Sequence, residues 1–499
     1  MKHAICAICT GALLLLAGAA GAQQVVPQSL SLEEALEIAR AYNPGLRQTQ
    51  NDADLANWNV RQAWGSLLPQ ASANAGVQWQ GSGEQQLGGS LTLGDLGFGN
   101  QPSYYLSNYR LGVTYSLDWA TLKGPSQARA DRETTYAQID LAGANLVAQV
   151  TNAYVETIRQ QEVLRIAELQ LENSDFNLRL AQAQLAVGAV TGIDVGQAEV
   201  QVGRSRVQVL QSRNALGTAR MRLLQQLGQP MGQDFDLTSM FELSEPTWTE
   251  EELEAMALDR NPTLEARRRA RRSADIGVSA ARSPYFPTLT ISTGLSGFTR
   301  EASSTDFQVA QAQLQVAGSI AQCVATNDLY ARLANPLPPI DCSRFTFTDA
   351  QRQAINDRNS QFPFSFEGSP PTLSLQLSLP LFTGLGRERN LEAARLQRDD
   401  LLEQVREQEI ALQADIAIGL ANVRTAYESA LLEEQNRALA EQQLLLARER
   451  YQLGEITFVD LVAAQTVLAQ AEFDRLGAVY AYHDLVTTLE ALVGAPLRN

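Results

Sequence analysis

Histidine and cysteine are scarce in this sequence: its 499 residues include two histidines and four cysteines. Beyond residue 22, the inventory falls to His483, Cys323 and Cys342. A multi-histidine metal site is therefore excluded within one chain, and a histidine-based catalytic triad is disfavoured. No glycine-rich phosphate loop joins a predicted strand to a helix. We expect a protein that is not an enzyme and that needs neither a metal nor a cofactor.

Long apolar segments are also missing after the N-terminus, where no stretch approaches the roughly 20 apolar residues of a membrane helix. Residues 1–22 combine a positive start, an apolar core and a small-residue ending at Ala20-Gly-Ala22, which is typical of a secretory signal peptide. If the rest of the chain spans a membrane, it does so with strands closed into a barrel. The formal charge of -16 argues against nucleic acid as a partner.

The sequence consists of two related halves. Asn43-Pro44 recurs as Asn261-Pro262, and Leu68-Pro69 recurs at the same spacing as Phe286-Pro287. Such self-similarity predicts an internal duplication. We assign residues 1–22 to the signal peptide, 23–230 to a first repeat, 231–262 to an equatorial linker and 263–499 to a second repeat.

Four segments alternate between apolar and polar residues, most clearly from Leu373 to Leu381. This period predicts strands with one apolar and one wet face, of the length that a tilted membrane strand needs. Four strands are too few to close a barrel, so we expect three chains to contribute about 12 strands. Taken alone, the alternation also fits a half-buried sheet in a soluble domain. The expected strands are about residues 70–80, 104–119, 287–298 and 372–383.

Two windows, from Pro125 to Pro230 and from Pro380 to Pro496, lack internal proline and repeat apolar residues at helical spacing. Each window contains a glycine followed by a Thr-x-x-Asp sequence, which predicts a helix end, a tight turn and an acidic capping box. We therefore expect two long helical hairpins at residues 124–228 and 386–493. Their aspartates, Asp194 and Asp460, either only cap helices or also face a lumen.

With both halves in view, the chain resembles the TolC family of outer-membrane efflux and secretion ducts. The shared motifs are Asn43-Pro44-Gly-Leu46, Asn261-Pro262-Thr-Leu264, Leu379-Pro-Leu-Phe382 and Tyr451-Gln-Leu-Gly-Glu-Ile-Thr-Phe-Val-Asp460-Leu461. The resemblance implies an α+β membrane protein, a homotrimer whose 12-stranded β-barrel (four strands per chain) is continuous with a long periplasmic α-helical barrel. It implies passive export across the outer membrane of a Gram-negative bacterium, in a tripartite efflux or type I secretion system with a periplasmic adaptor and an inner-membrane pump.

The resemblance also implies a gate at the periplasmic tips of the hairpins. Tyr451 is expected to donate a hydrogen bond to Asp194 and so to hold the tips closed, and Asp460 is expected to form a ring around the lumen. Ile456 and Ala463 depart from the residues that some family members carry there, which predicts a weaker gate. The expected contacts with the adaptor are Gly188, Ala189, Gly454 and Glu455.

The second repeat carries a long insert between its two strands, residues 299–370, which we expect to be an external loop. Cys323 and Cys342 lie in it, and an oxidising compartment favours a disulfide between them. An arginine run from Arg267 to Arg272 indicates a solvated helix face paired with acids rather than an anion site. The rival to a duct is a secreted trimeric coiled-coil protein or adhesin without transport activity. That alternative explains the long helices but not four alternating strands in two repeats.

Overall fold

The computed structural model describes residues 27–83, 86–88, 91–92, 101–239, 241–360 and 362–498. The expected signal peptide at residues 1–22 lies outside the described residues. None of the described helices is both long and apolar enough to cross a membrane.

Helices make up most of the described chain. The first half contains α1 (Leu32–Tyr42), α2 (Pro44–Gly65), α3 (Trp119–Ala186) and α4 (Gly192–Leu227). The second half contains α5 (Glu250–Arg260), α6 (Pro262–Ala280), α7 (Asp306–Ala331), α8 (Asp349–Asn359), α9 (Gly386–Gln452) and α10 (Phe458–Val493). The series α1 to α4 thus recurs as α5, α6, α9 and α10, which agrees with an internal duplication. With 68 and 67 residues, α3 and α9 each extend about 100 Å.

The first long helix begins at Trp119, earlier than the expected residue 124. Asp118 caps it, since its Oδ1 accepts a hydrogen bond from the Thr121 amide at 2.6 Å. Pro125 consequently lies inside the helix, and the strand that was expected to reach residue 119 ends at Leu117. The boundary was missed because the apolar–polar alternation of the strand continues through Asp118 and Trp119 into the first helical turn.

An asparagine joins the short helices in each half to the end of a long hairpin. Asn43 Oδ1 accepts from the Leu46 amide at 3.0 Å, and its Nδ2 donates to the Gln226 carbonyl at 2.8 Å. One side chain therefore caps α2 and binds a carbonyl of the last turn of α4. Asn261 repeats both bonds in the second half, with Leu264 and Leu492.

Glycine is required beside both of these asparagine joints. Gly228 has φ +69°, and a Cβ there would lie 2.3 Å from the carbonyl oxygen of Tyr42. Gly494 has φ +74°, and its Cβ would lie 2.4 Å from the carbonyl oxygen of Arg260. Both the left-handed backbone and the close approach exclude other residues at these positions.

The segment expected to be a linker, residues 231–262, contains an ordered helix, α5.

The strands are β1 (Ser29–Leu30), β2 (Gln70–Gln80), β3 (Gln86–Gly88), β4 (Leu91–Thr92), β5 (Tyr104–Leu117), β6 (Asp236–Leu237), β7 (Thr288–Ala302) and β8 (Glu367–Ser378). Four of them form an antiparallel sheet in the order β2-β5-β7-β8. The last strand starts and ends earlier than the expected residues 372–383. It includes Pro370 and Pro371, which lack the backbone N–H that donates to a neighbouring strand. For that reason the strand was expected to begin only after them. The register shift between Gly294 and Ser296 of β7 accommodates these prolines on an edge strand.

The register brings the apolar residues of all four strands to one side. Val113 of β5 lies opposite Ala71 of β2 and Thr293 of β7, and Thr293 lies opposite Leu373 of β8. Because side chains alternate, the odd-numbered residues share this side, except at the start of β8 before the register shift; we call this side the apolar face. It includes Ala73, Val77, Leu111, Tyr115, Leu289, Ile291, Leu295, Leu375 and Leu377. The opposite, polar face includes Ser72, Asn74, Gln78, Thr114, Ser116, Thr290, Ser292, Ser374 and Gln376.

The insert of the second half, expected as an external loop over residues 299–370, is largely helical, and its position outside the cell stays a prediction. The strand β7 runs on to Ala302, and α7 and α8 follow it. Cys323 of α7 and Cys342 form a disulfide, with their Cα atoms 5.8 Å apart. A Thr348–Gln351 capping box begins α8 and was visible in the sequence as Thr-x-x-Gln.

The described chain divides into two compact units that cut across the sequence repeats. One unit takes in described residues 27–60, 126–278 and 392–498, and it holds most of the helices. The other consists of Arg61–Pro125 and Ser279–Leu391, and it holds the four-stranded sheet and the insert. Each unit thus takes segments from both halves, and its boundaries differ from those of the repeats at residues 230 and 262.

Acidic side chains engage the arginine run of α6. Arg268 donates to Glu409 at 2.8 Å, and Arg269 forms an ion pair with Glu265 on its own helix. Arg271 lies 3.7 Å from Asp275. Their side chains remain about a third or more exposed. These contacts agree with a solvated helix face.

Candidate functional site at the tips of the helical hairpins

Each hairpin turns at a glycine with a left-handed backbone. Gly188 follows α3 and Gly454 follows α9, both with φ +74°. The amides of Ala189 and Glu455 donate back to carbonyls in the last turns of α3 and α9, at 2.8 and 2.9 Å. This bond closes the same C-terminal cap at both tips. All four turn residues are exposed, as contact with another protein requires.

An aspartate fixes the start of each returning helix. Asp194 Oδ2 accepts from the Thr191 amide at 2.8 Å and from the Thr191 hydroxyl at 2.7 Å. Asp460 accepts the same two bonds from Thr457, at 2.9 and 2.7 Å. The threonine hydroxyl and amide lower the pKa of both carboxyls, so each is held as an anion. Asp194 and Asp460 therefore both cap the helices that begin next to them.

Tyr451 joins the two hairpins, but not through the expected partner. Its side chain is 7% exposed, and its hydroxyl donates to Gln184 Oε1 at 2.7 Å. This hydroxyl donates to Gln184 and not to Asp194, so the expected bond from Tyr451 to Asp194 is not made within the chain. Asp194 accepts from Thr191. Burial raises the pKa of Tyr451, and the negative charge of Asp194 raises it further. The tyrosine is thus a neutral donor next to a carboxylate.

A small apolar cluster surrounds this hydrogen bond and draws on all four long helices. Ala181 of α3 and Ala198 of α4 pack with Leu444 of α9 and Leu461 of α10. Further from the tip, Asn177 Nδ2 of α3 donates to Gln465 Oε1 of α10 at 2.8 Å, and this bond also links the two hairpins. Tyr451 and Gln184 therefore sit where the two hairpins are locked together.

Sequence reasoning missed Gln184, because its pairing depends on the register between hairpins that are far apart in sequence. It also missed four apolar side chains at the tips that have little contact with the chain. Their exposed fractions are 80% for Val187, 72% for Ile193, 75% for Leu453 and 55% for Val459. They occupy equivalent positions in the two repeats: Val187 and Leu453 directly precede the glycines, and Ile193 and Val459 lie two residues after the capping threonines. An apolar residue next to a turn glycine in both repeats was the available signal.

The single histidine beyond residue 22 lies in the core, away from the tips. His483 packs against the rings of Phe241 and Tyr482. Its pKa is lowered to about 4 because burial disfavours the charged ring and the nearby Arg498 guanidinium repels it. In the described ranges, no group of three or more His, Cys, Asp or Glu side chains is placed to hold a metal ion.

Comparison with known proteins identifies the family to which a chain with these tips and this sheet belongs. A family model described as "Outer membrane efflux protein" matches residues 35–229 and 301–495, one segment in each half. The chain belongs to the outer membrane efflux protein family. This membership confirms the resemblance to TolC-type ducts and places the chain at the outer membrane. It also confirms that the protein is not an enzyme, and it sets aside the coiled-coil adhesin.

Individual relatives of this efflux protein are distant. The pyoverdine export outer membrane protein OpmQ of Pseudomonas aeruginosa is 26% identical over 200 residues, which are 39% of this chain and 42% of that protein. The fusaric acid resistance protein FusA of Burkholderia cepacia is 25% identical over 279 residues, or 55% and 52% of the two chains. The chain therefore spans about half the length of these relatives.

Solved structures support the fold of the efflux protein. The CmeC outer membrane channel of Campylobacter jejuni superposes with a TM-score of 0.67 at 13% sequence identity. The superposition covers 94% of this chain and 87% of CmeC. A largely helical fold with a small sheet and an internal duplication is thus shared over nearly the whole length.

Proposed function

We propose that the protein is the outer-membrane exit duct of a tripartite efflux or type I secretion system, and that it conducts cargo passively from the periplasm to the exterior. The four-stranded sheet carries the proposal. It has one continuous apolar face and ends in two strands, β2 and β8, that are paired on one side only within this sheet. Lipid cannot satisfy an open strand edge. Three copies joined edge to edge close about 12 strands and leave none open.

In this proposal, the hairpins of three copies form the periplasmic tube, and their tips form its gate. Asp460 is exposed and ionised, so three copies near the axis place three negative charges around the lumen and favour cations. Tyr451 holds the two hairpins of one protomer together through Gln184. Asp194 supports that contact by capping α4 next to it.

A periplasmic adaptor is the proposed partner at the tips, and an inner-membrane pump supplies the cargo. The exposed side chains of Val187, Ile193, Leu453 and Val459 support this role, because four apolar side chains at turns are costly to leave in water. OpmQ is named for pyoverdine export and FusA for fusaric acid resistance. These differing names fit a duct whose cargo is chosen by the pump.

The trimer is tested by mass and by conductance. The purified protein in detergent should have the mass of three chains, and after insertion into a planar bilayer it should conduct ions. Both results follow from barrel closure by three copies. A soluble trimer without conductance would support the coiled-coil alternative instead, and a conducting monomer would contradict the shared barrel.

The partner is tested by crosslinking in cells. A photoreactive amino acid at Glu455, in the second tip, should capture a periplasmic adaptor that mass spectrometry can name. The matched control is Glu428, which is also exposed on α9 but lies far from the tip. Equal capture from both positions, or capture from Glu428 alone, would show that the adaptor does not dock at the tips.

A further inference from the structure

Helix α7 of the insert is long and exposed, and its central 21 residues carry no charge. It runs from Asp306 to Ala331, a length of 26 residues, and only its Cys323 is buried by the described chain. Residues 307–327 contain no Asp, Glu, Lys or Arg. Exposed helices of soluble proteins normally carry charges on the face that meets water. The lack of charge around α7 therefore calls for a partner surface.

One side of α7 has the spacing of a helix-packing seam. Leu314 and Val324 are 47% and 51% exposed, and Ala317 and Ala321 between them are also exposed. Their separations of three, four and three residues keep all of them on one stripe of the helix. We call these four residues the α7 stripe. The small alanines in its middle allow neighbouring helices to approach closely.

The root of α7 is fixed at the end of β7. Asn359 of α8 binds the backbone of Ala302, accepting from its amide at 2.6 Å and donating to its carbonyl at 2.8 Å. Thr305 donates to Asn356 of α8 at 2.7 Å. A cavity of about 360 Å³ lies between the end of β7 and these helices. Its lining includes Phe298, Arg300, Gln308, Ile355 and Arg358.

Phe298 and Arg300 are even-numbered residues of β7 and therefore belong to the polar face. In a barrel whose apolar face meets lipid, the polar face lines the lumen. The first turn of α7, which lines this cavity through Gln308, thus lies on the lumen side of the sheet, whereas residues 362–366 after α8 pack on the opposite face against Tyr105 and Tyr109. This placement rests on the proposed function, because it assumes that the sheet is part of a closed barrel.

The helix is long enough to reach the axis of that barrel. About 12 strands spaced about 4.8 Å apart and tilted by about 40° give a circumference of about 75 Å and a radius of about 12 Å. At 1.5 Å per residue, the 26 residues of α7 extend about 39 Å. From the wall, α7 can therefore span the opening with several turns to spare.

We propose that the α7 helices of the three copies pack against one another through the α7 stripe and constrict the external mouth of the duct. The occupant of the stripe is a second copy of this chain, since only other copies share the lumen. Symmetry supports this choice: each stripe residue meets its own counterparts, so any charge there would repel itself. An uncharged central segment with small and apolar residues at heptad spacing meets that condition.

Disulfide trapping in the intact trimer tests the contact. Ala317→Cys places a thiol on the stripe, and Gln315→Cys places one on an exposed position about half a turn away. Each full-length variant is first shown to be a trimer in detergent and is then oxidised, with the Cys323–Cys342 disulfide kept intact. Ala317→Cys should give at least five times more disulfide-linked dimer than Gln315→Cys.

Equal trapping at the two positions, or none at Ala317→Cys in intact trimers, would overturn the proposal. A failure of the unmodified chain to form trimers would instead overturn the proposed function, and this inference with it. Conductance gives a second measurement. Replacing both Ala317 and Ala321 with glutamate should raise single-channel conductance at least twofold through like-charge repulsion, whereas Gln315→Glu should leave it unchanged. Unchanged conductance in the double variant would also count against a constriction.

Discussion

Replacing Leu375 with arginine should destabilise the membrane-inserted protein by about 2–4 kcal/mol, the range for arginine on the lipid face near the midplane. Leu375 lies on the apolar face of β8, opposite Ile291 of β7, which in turn lies opposite Tyr115 of β5. Its side chain is 71% exposed in the single chain. In the proposed barrel that exposed surface meets lipid. An arginine there must carry its charge into hydrocarbon or distort the bilayer around it.

The neighbouring residue provides the matched control. Gln376 lies on the same strand, opposite Thr290, but on the polar face. Arginine at Gln376 should cost much less, because its charge enters the water-filled lumen. Both variants can be compared by denaturant titration of the protein refolded into lipid vesicles. A similar loss of stability in both would mean that the two faces are not lipid and lumen, and the assignment of the barrel would fail.

The four strands could be predicted because alternation is a local property of the sequence. From Leu373 to Leu377 every second residue is leucine, and no helical period fits that pattern. The register that unites the four apolar faces could not be predicted in the same way. It depends on pairings such as Val113 with Thr293, which join distant parts of the chain.

The insert shows where local signals were misjudged. Residues 299–370 were expected to be an external loop because they join two strands at the same end as a shorter loop. Helix α7 is rich in alanine and glutamine, but it lacks the amphipathic charge pattern that usually marks a surface helix. The same lack of charge that concealed the helix from sequence analysis supports its proposed burial against other copies.

At the hairpin tips, too, the local features could be predicted from the sequence and the contact between the hairpins could not. Gly188, Gly454 and the capping aspartates were recognised because each acts on residues within one or two turns. The bond from Tyr451 to Gln184 joins residues of two hairpins that are 267 positions apart in sequence. Chemistry alone favoured the carboxylate of Asp194 as the acceptor. In the structure the hydroxyl donates to the neutral amide of Gln184 instead, and the carboxylate of Asp194 accepts from Thr191.

Removing the Tyr451 hydroxyl should therefore open the duct. A neutral hydrogen bond contributes about 0.5–1.5 kcal/mol, so three equivalent bonds in a trimer contribute about 3 kcal/mol if all break together on opening. This amount corresponds to a shift of about a hundredfold toward the open state. Tyr451→Phe keeps the ring that packs between the hairpins and removes only the donor to Gln184. Single-channel recording in planar bilayers should show a higher conductance or a longer open time.

Two further variants separate a gate from a general loss of packing. Gln184→Leu removes the acceptor of the same bond, so it should reproduce the effect of Tyr451→Phe, and the double variant should add little. Tyr480→Phe removes a hydroxyl from another buried tyrosine, whose pKa burial raises to about 12, far from the tips on α10. That control should leave conductance unchanged. If Tyr451→Phe forms an intact trimer with wild-type conductance, or if Tyr480→Phe opens the duct equally well, the bond between Tyr451 and Gln184 does not hold the gate.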